Sequence, residues 1–329
     1  MPIRRRELLS AALLASASAA TPSGPTLLPG QRTAVAQAAA AAPPVLPQAL
    51  APLPRPPAPD RGLLFSCKYG MTKGPSLEAR LTAAREAGMD GVDFDDAAGV
   101  TPEQLREASR ATGVFIHNCI NHAHWGKTLT SADAATRAAG LANLEHCIRC
   151  SHAAGGSGVL LVVGKKGDGP EGPDRARAEI ARAIPLAAAL GQRILFENVW
   201  NGLFYEDGGA RDQSVRPFAD YIDSFKSPWV GAFFDLGNHA RYGDVATWVR
   251  ELGPRIVKLD IKGYSNRRAD ADGPGKGFTD ITDGDIDWAS VRAALRDIGF
   301  TGWVSAEVGG GDVPRLAAVL DQMKRALLG

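Results

Sequence analysis

The sequence predicts an α/β protein of the (β/α)₈ TIM-barrel class, preceded by an export signal and a linker. Three observations carry that expectation. Short apolar runs alternate with longer Ala/Leu/Arg-rich stretches, the order in which a parallel sheet and its covering helices are laid down. The alternation fills residues 61–329, close to the roughly 250 residues one such barrel needs. Four acidic residues each stand near the end of a different apolar run, and a closed barrel would gather them at one end.

The expected strands are Leu63–Cys67, Gly91–Phe94, Val114–His117, Val159–Val163, Arg193–Glu197, Val230–Asp235, Ile256–Ile261 and Trp303–Glu307. Helical stretches follow at Leu77–Ala87, Pro102–Thr112, Ala132–Ala154, Arg175–Leu190, Val215–Ser224, Val245–Leu252, Trp288–Ile298 and Val313–Leu328. Local signals mark their ends. Thr101-Pro102-Glu103-Gln104 offers an N-cap, a proline at the first helical position and a capping-box partner. Gly88, Gly113 and Gly191 each follow a helical run where a left-handed residue ends a helix well. Asp287 is placed to cap the helix that begins at Trp288. No Gly-x-Gly-x-x-Gly follows the first strand, which argues against a doubly wound sheet.

Residues 1–36 read as a twin-arginine signal peptide. Arg4-Arg5-Arg6-Glu7-Leu8-Leu9 precedes a weakly apolar Ala-rich stretch from Ser10 to Ala20, and Ala34-Val35-Ala36 suits cleavage before Gln37. The competing reading is a disordered Ala/Arg-rich tail. The apolar segment is too short and too Ala-rich for a membrane span. Residues 37–60 are Ala/Pro-rich and read as a solvated linker. The expected partner of this segment is therefore the twin-arginine translocation machinery, with a periplasmic or extracellular destination; a homo-oligomer is left open.

Composition excludes some classes. A hydrophobic share of 45%, a charged share of 22% and a net charge of +1 are ordinary for a globular enzyme. That balance offers no electrostatic footprint for nucleic acid or an anionic membrane. Four cysteines, Cys67, Cys119, Cys147 and Cys150, do not make a disulfide framework. Cys147-Ile148-Arg149-Cys150 with His146 and His152 lies inside a long helical stretch and reads as a buried helix face, not a metal cluster.

The four acids are Glu197 in Ile194-Leu195-Phe196-Glu197-Asn198, Asp235 in Ala232-Phe233-Phe234-Asp235-Leu236-Gly237-Asn238-His239, Asp260 in Ile256-Val257-Lys258-Leu259-Asp260-Ile261-Lys262, and Glu307 in Trp303-Val304-Ser305-Ala306-Glu307-Val308. A carboxylate at the end of a buried strand is costly unless something pairs with it. Four together repel strongly, and a divalent cation removes that conflict. All-oxygen ligation favours Mn²⁺ or Mg²⁺ on hardness, with Zn²⁺ as an alternative. The competing reading is ion pairing inside the barrel, Asp260 with Lys258 or Lys262. Because strand side chains alternate, Leu195 and Val199 share the face of Glu197, and Lys258 and Lys262 that of Asp260.

These segments, with Gly91-Val92-Asp93-Phe94, Ile116-His117-Asn118 through Trp125, and Gly284-Asp285-Ile286-Asp287-Trp288, resemble the sugar phosphate isomerase/epimerase superfamily of xylose-isomerase-like barrels. The resemblance covers essentially the whole folded part. In the epimerase branch it implies a metal held by Glu, Asp, His and Glu from strands five to eight, the two glutamates doubling as the acid/base pair. By position those are Glu197, Asp235, Asp260 and Glu307, with Asp260 standing where the pattern has histidine. The resemblance implies metal-assisted proton transfer next to a carbonyl, through an enediolate, with Glu197 and Glu307 as the catalytic residues.

His117, His122, Trp125, Trp200, Asn201, His239 and Lys262 are the candidate substrate contacts, with Tyr205 a further candidate wall residue. The Asp/Gly-rich loop from Asp270 to Asp285 lacks EF-hand spacing and is expected to close over the barrel mouth. No glycine-rich phosphate cradle follows strands seven and eight; Gly309-Gly310-Gly311-Asp312 reads equally as a turn. The first reading is thus an isomerase or epimerase whose small-molecule carbohydrate partner is a small sugar or keto-sugar. Alternatives are a lyase or dehydratase acting on an oxidised sugar or inosose through the same site, a non-catalytic sugar-binding barrel, and, least supported by six histidines, an apurinic-site nuclease.

Overall fold

The computed structural model describes residues 52–329 apart from 57, 96 and 207. The signal and most of the linker read from the sequence lie outside the described residues. Eight parallel strands close into a barrel in which each strand pairs with its sequence neighbours and the first with the last. They are β1 (Leu63–Lys68), β2 (Gly91–Phe94), β3 (Ile116–Ile120), β4 (Gly158–Leu161), β5 (Arg193–Glu197), β6 (Val230–Asp235), β7 (Ile256–Ile261) and β8 (Gly302–Ala306). The outer layer is α1 (Leu77–Glu86), α2 (Pro102–Thr112), α3 (Ala134–Ala153), α4 (Gly172–Ala189), α5 (Arg216–Asp223), α6 (Val245–Leu252), α7 (Trp288–Asp297) and α8 (Val313–Leu328). No helix among the described residues is long and apolar enough to cross a membrane.

The signals that bound the elements act as expected. Thr101 and Gln104 form the reciprocal capping box of α2. Gly88, Gly113 and Gly191 all have positive φ at helix ends, and Asp287 caps α7. All four cysteines are free and buried, so no disulfide holds the barrel. Cys147 and Cys150 lie on the buried face of α3, as read.

Two register shifts shape the barrel interior. Val92 pairs with Ile116 but Asp93 with Asn118, so β3 carries an extra residue at His117. Ala232 pairs with Ile256 but Phe233 with Lys258, which leaves Val257 as the extra residue of β7. A bulge re-aims the side chains around it. Ile116 and Cys119 join the outer core while Ile120 packs against the inner cluster, so His117 and Asn118 both turn inward. The inner space is therefore divided. Leu160, Leu195 and Phe233 fill one side, and a buried polar network of Ser66, His117, Lys258 and Ser305 fills the other.

β3 begins two residues later than expected, because Val114 belongs to the turn, where its carbonyl accepts the Ser109 hydroxyl. After β7 the chain makes an excursion: Gly263–Tyr264 pairs antiparallel with Phe278–Thr279 across the short helix Asn266–Asp272. This segment borders the barrel mouth through Phe278. Gly91 shows how tightly β2 is seated: a Cβ there would lie 2.6 Å from the Phe115 carbonyl oxygen and 2.9 Å from the Trp303 ring. Gly91→Ala is expected to destabilise the barrel by about 1–3 kcal/mol, as overpacking does, measured by urea unfolding; an unchanged midpoint would contradict this packing.

Candidate active site

The four acids converge because each sits at the same end of a strand. Glu197 and Asp235 are the last residues of β5 and β6, Asp260 the penultimate residue of β7, and Glu307 follows β8 directly. Donor oxygens from all four lie within 4.8 Å of one another. Asp235 and Asp260 are fully buried, Glu197 is 8% exposed, and Glu307 stands partly open on the wall. Above them lies a cavity of about 500 Å³ that includes Glu197, Glu307, Lys68, Lys262, Trp200 and Phe278 in its lining.

Each acid is held by local structure. Asp235 Oδ1 accepts from the Asn238 backbone N–H at 2.9 Å and caps the turn Leu236–His239. Asn198, next to Glu197, accepts from the Asp235 N–H and donates to its carbonyl, both at 2.8 Å, and so staples β5 to β6. The Asn238 amide reaches Glu197 Oε1 at 3.3 Å. Lys262 lies 2.5 Å from Glu307 Oε2 and 2.8 Å from Asp235 Oδ2. Its approach to Asp235 is an ion pair off the direction of a hydrogen bond, so Oδ2 has no hydrogen-bond partner. A Cβ at Gly237 would meet the Lys262 Cγ at 2.3 Å, so only glycine leaves the lysine stem its place.

Asp260 is paired, but not with Lys258 or Lys262. Lys68, at the end of β1, lies 2.6 Å from Asp260 Oδ2 and 2.7 Å from Asp93 Oδ2. Lys258 instead sits below, against the His117 carbonyl and Asn118. Burial pushes Lys258 down to about 7.

These contacts set the charges. Burial, then Glu307 and Asp235, push the Glu197 carboxyl up to about 8. Burial also works against ionisation of Glu307, but Lys262 and then Lys68 outweigh it and hold that carboxyl down at about 2. Burial opposes charge on Lys68, yet Asp260 and Asp93 keep it an ammonium. Five carboxylates, the four acids and Asp93, face two ammonium groups, Lys68 and Lys262. Acidic groups outnumber the ammonium groups, burial pushes the Asp235 and Asp260 carboxyls up as it does Glu197, and Asp260 Oδ1 and Asp235 Oδ2 are buried without hydrogen-bond partners. A hard divalent cation fits this donor set.

Of the expected substrate contacts, His122, Trp125, Trp200 and Lys262 line the cavity. Trp125 is 58% exposed at its rim. His117, Asn201 and His239 do not line it. The bulge of β3 carries His117 beneath the floor, where it meets Ser66 at 2.9 Å and stacks on Trp303 at 4.2 Å. Burial and Lys258 keep its ring neutral. Asn201 bonds the Gly164 carbonyl and the Leu203 N–H, so it shapes its own loop. His239 is buried against Trp248, at 3.8 Å, and beside the Tyr205 hydroxyl, which is buried with it. Lys68, Asp93, Asp95, Asn238 and Phe278 were not singled out by sequence as site residues, whereas His124, in the loop that carries His122 and Trp125, lines the cavity. For Lys68 a signal existed: it closes Leu63–Cys67 just as each acid closes its own run.

Comparison with known proteins agrees with this architecture. The family model described as xylose isomerase-like TIM barrel matches residues 81–326. This chain belongs to that family. A solved L-ribulose 3-epimerase shares 18% identity over 81% of this chain and 95% of its own, with a TM-score of 0.63. A D-allulose 3-epimerase from Methylomonas sp. shares 19% over 84% and 99%, with a TM-score of 0.62. A xylose isomerase domain protein from Planctomyces limnophilus shares 16% over 80% and 96%, with a TM-score of 0.60. No curated protein matched.

The raised Glu197 carboxyl has a measurable consequence. Its folded value lies above the 4.5 of an ordinary glutamate, so the stability it contributes is complete below that value and is lost as pH rises through about 8. In metal-free protein, the stability of the wild type relative to Glu197→Gln is expected to fall across that window and then level. Urea unfolding at several pH values checks it, and a constant difference would contradict the assignment.

Proposed function

We propose that this chain is a metal-dependent isomerase or epimerase of a small sugar or keto-sugar, acting by proton transfer next to a carbonyl. The convergence of Glu197, Asp235, Asp260 and Glu307 beneath an aromatic-walled cavity carries this reading. Its fold likeness to ketose epimerases supports it. A divalent cation, Mn²⁺ by preference, held by the four acidic residues would supply charge stabilisation for an enediolate.

The chain's own groups supply the rest. Glu197 and Glu307 stand on strands three apart around the barrel, so they approach a bound ring from different sides. Glu307, kept ionised by Lys262, is the base that takes the proton onto a carboxylate oxygen. Glu197 delivers a proton on the other face or to the neighbouring carbon. The Lys262 ammonium is placed to steady a developing oxyanion. Trp200 stacks on Phe278 at 4.9 Å, a flat wall for an apolar sugar face. His122 and Trp125 border the opposite rim as further substrate contacts.

One observation favours a lyase as the second reading. A further cavity of about 510 Å³ shares Lys262, Phe278 and Glu307 and continues past Gly309. It gives room for a group leaving from the position next to the abstracted proton.

Glu197→Gln and Glu307→Gln are each expected to lower kcat by about 10²–10⁴-fold, the usual worth of a general acid or base, with circular dichroism unchanged. Substantial turnover in either variant would overturn the assignment. In D₂O, solvent deuterium retained on an intact sugar supports epimerisation or isomerisation; an unsaturated product supports elimination; tight sugar binding without turnover supports a binding barrel. We also propose export through the twin-arginine route. Arg5→Lys with Arg6→Lys is expected to hold the protein in the cytoplasm, and normal export would contradict it.

A further inference from the structure

We propose that Lys68 is a positioning residue for the metal centre: it ties down one oxygen of Asp260 and leaves the other carboxylate oxygen to the cation. The inference rests on the metal-dependent reading above. Lys68 Nζ holds Asp260 Oδ2 at 2.6 Å, and Asp260 is fully buried. The other oxygen, Oδ1, is buried without a hydrogen-bond partner. Asp260 also contributes a donor oxygen to the group lying within 4.8 Å of its neighbours. One oxygen is tied down, and the other is left for a ligand. Groups behind a metal ligand orient it in this way.

Lys68 is itself fixed from below. Asp93 Oδ2 accepts from it at 2.7 Å, and Asn118 Nδ2 holds Asp93 Oδ1 at 2.8 Å. Lys68 therefore cannot swing toward the cavity without leaving two buried carboxylates unpaired. Lys262 is placed differently. It lies against Asp235 Oδ2, one of the oxygens without a hydrogen bond, and against Glu307 Oε2. Lys262 thus competes with a cation for its ligands, whereas Lys68 occupies the oxygen that a cation does not need. A neutral imidazole at position 260 would give one donor atom, as Asp260 does when Lys68 holds its other oxygen.

The test is a double-mutant cycle read as the Mn²⁺ dissociation constant by calorimetry on the folded barrel, with circular dichroism on every variant. Lys68→Met is expected to weaken Mn²⁺ binding by about 10–100-fold, the usual effect of losing such a support. Asp260→His alone leaves an ammonium facing the imidazole and is expected to bind weakly as well. Lys68→Met with Asp260→His is expected to restore affinity to within about tenfold of wild type. Lys262→Met is expected to bind Mn²⁺ as tightly as wild type or tighter.

If Lys68→Met binds within threefold of wild type, roughly the 0.5 kcal/mol scatter of independent sites, Lys68 is only structural and the inference fails. It also fails if the double variant binds no better than the single ones. Should Lys68→Met not fold, the double variant decides: folded with Mn²⁺ bound upholds the inference, folded without it overturns it. If neither folds, Lys262→Met decides: weaker Mn²⁺ binding than wild type overturns the contrast between the two lysines. A wild type that binds no Mn²⁺ overturns the metal reading itself, a different failure.

Discussion

The structure depends on how a barrel tolerates five carboxylates gathered at one end of its interior. Isolated, each would have to take up a proton or find a cation. Two lysines meet part of the demand: Lys68 between Asp93 and Asp260, Lys262 between Asp235 and Glu307. The unmet demand shows in a Glu197 carboxyl pushed up to about 8 and in two carboxyl oxygens without hydrogen bonds. The proposed cation, the divided protonation of the two glutamates and the role of Lys68 all follow from that imbalance.

The barrel makes the imbalance possible by splitting its interior. Leu160, Leu195 and Phe233 supply ordinary packing on one side. The bulge at Val257 adds that side chain to the same apolar side, and the bulge at His117 turns an extra residue inward on the other, where a buried polar layer lies under the acids. Lys258, His117 and Asn118 form that layer, and it supports Asp93, which supports Lys68. A fully satisfied buried network rigidifies what rests on it. The polar layer thus reaches the candidate site without lining its cavity.

Much of this was legible in the sequence, and the reasons differ by residue. The fold was readable because apolar runs and helical stretches alternate without interruption, and because caps such as Thr101 and Asp287 mark the boundaries chemically. The four acids stood out because each one interrupts an apolar run, where charge is costly. Lys68 closes a run in the same way, but a single lysine at a strand end reads as solvated until the register places Asp93 and Asp260 beside it. His117 was misplaced because a bulge leaves no mark in hydropathy. Asn201 and His239 were drawn in by proximity to Glu197 and Asp235, although their loops turn them into packing and backbone contacts. Partner choice across strands is a property of register, and the sequence pattern carries only its period.

The most direct test of the central claim is anomalous diffraction at the manganese edge from crystals grown with Mn²⁺. The account predicts one strong peak within coordination distance of Glu197, Asp235, Asp260 and Glu307, with Lys68 still on Asp260. No peak there, or a peak elsewhere with Lys262 still seated on Asp235 and Glu307, would contradict it. The two lysines would then be all the cation this cluster requires.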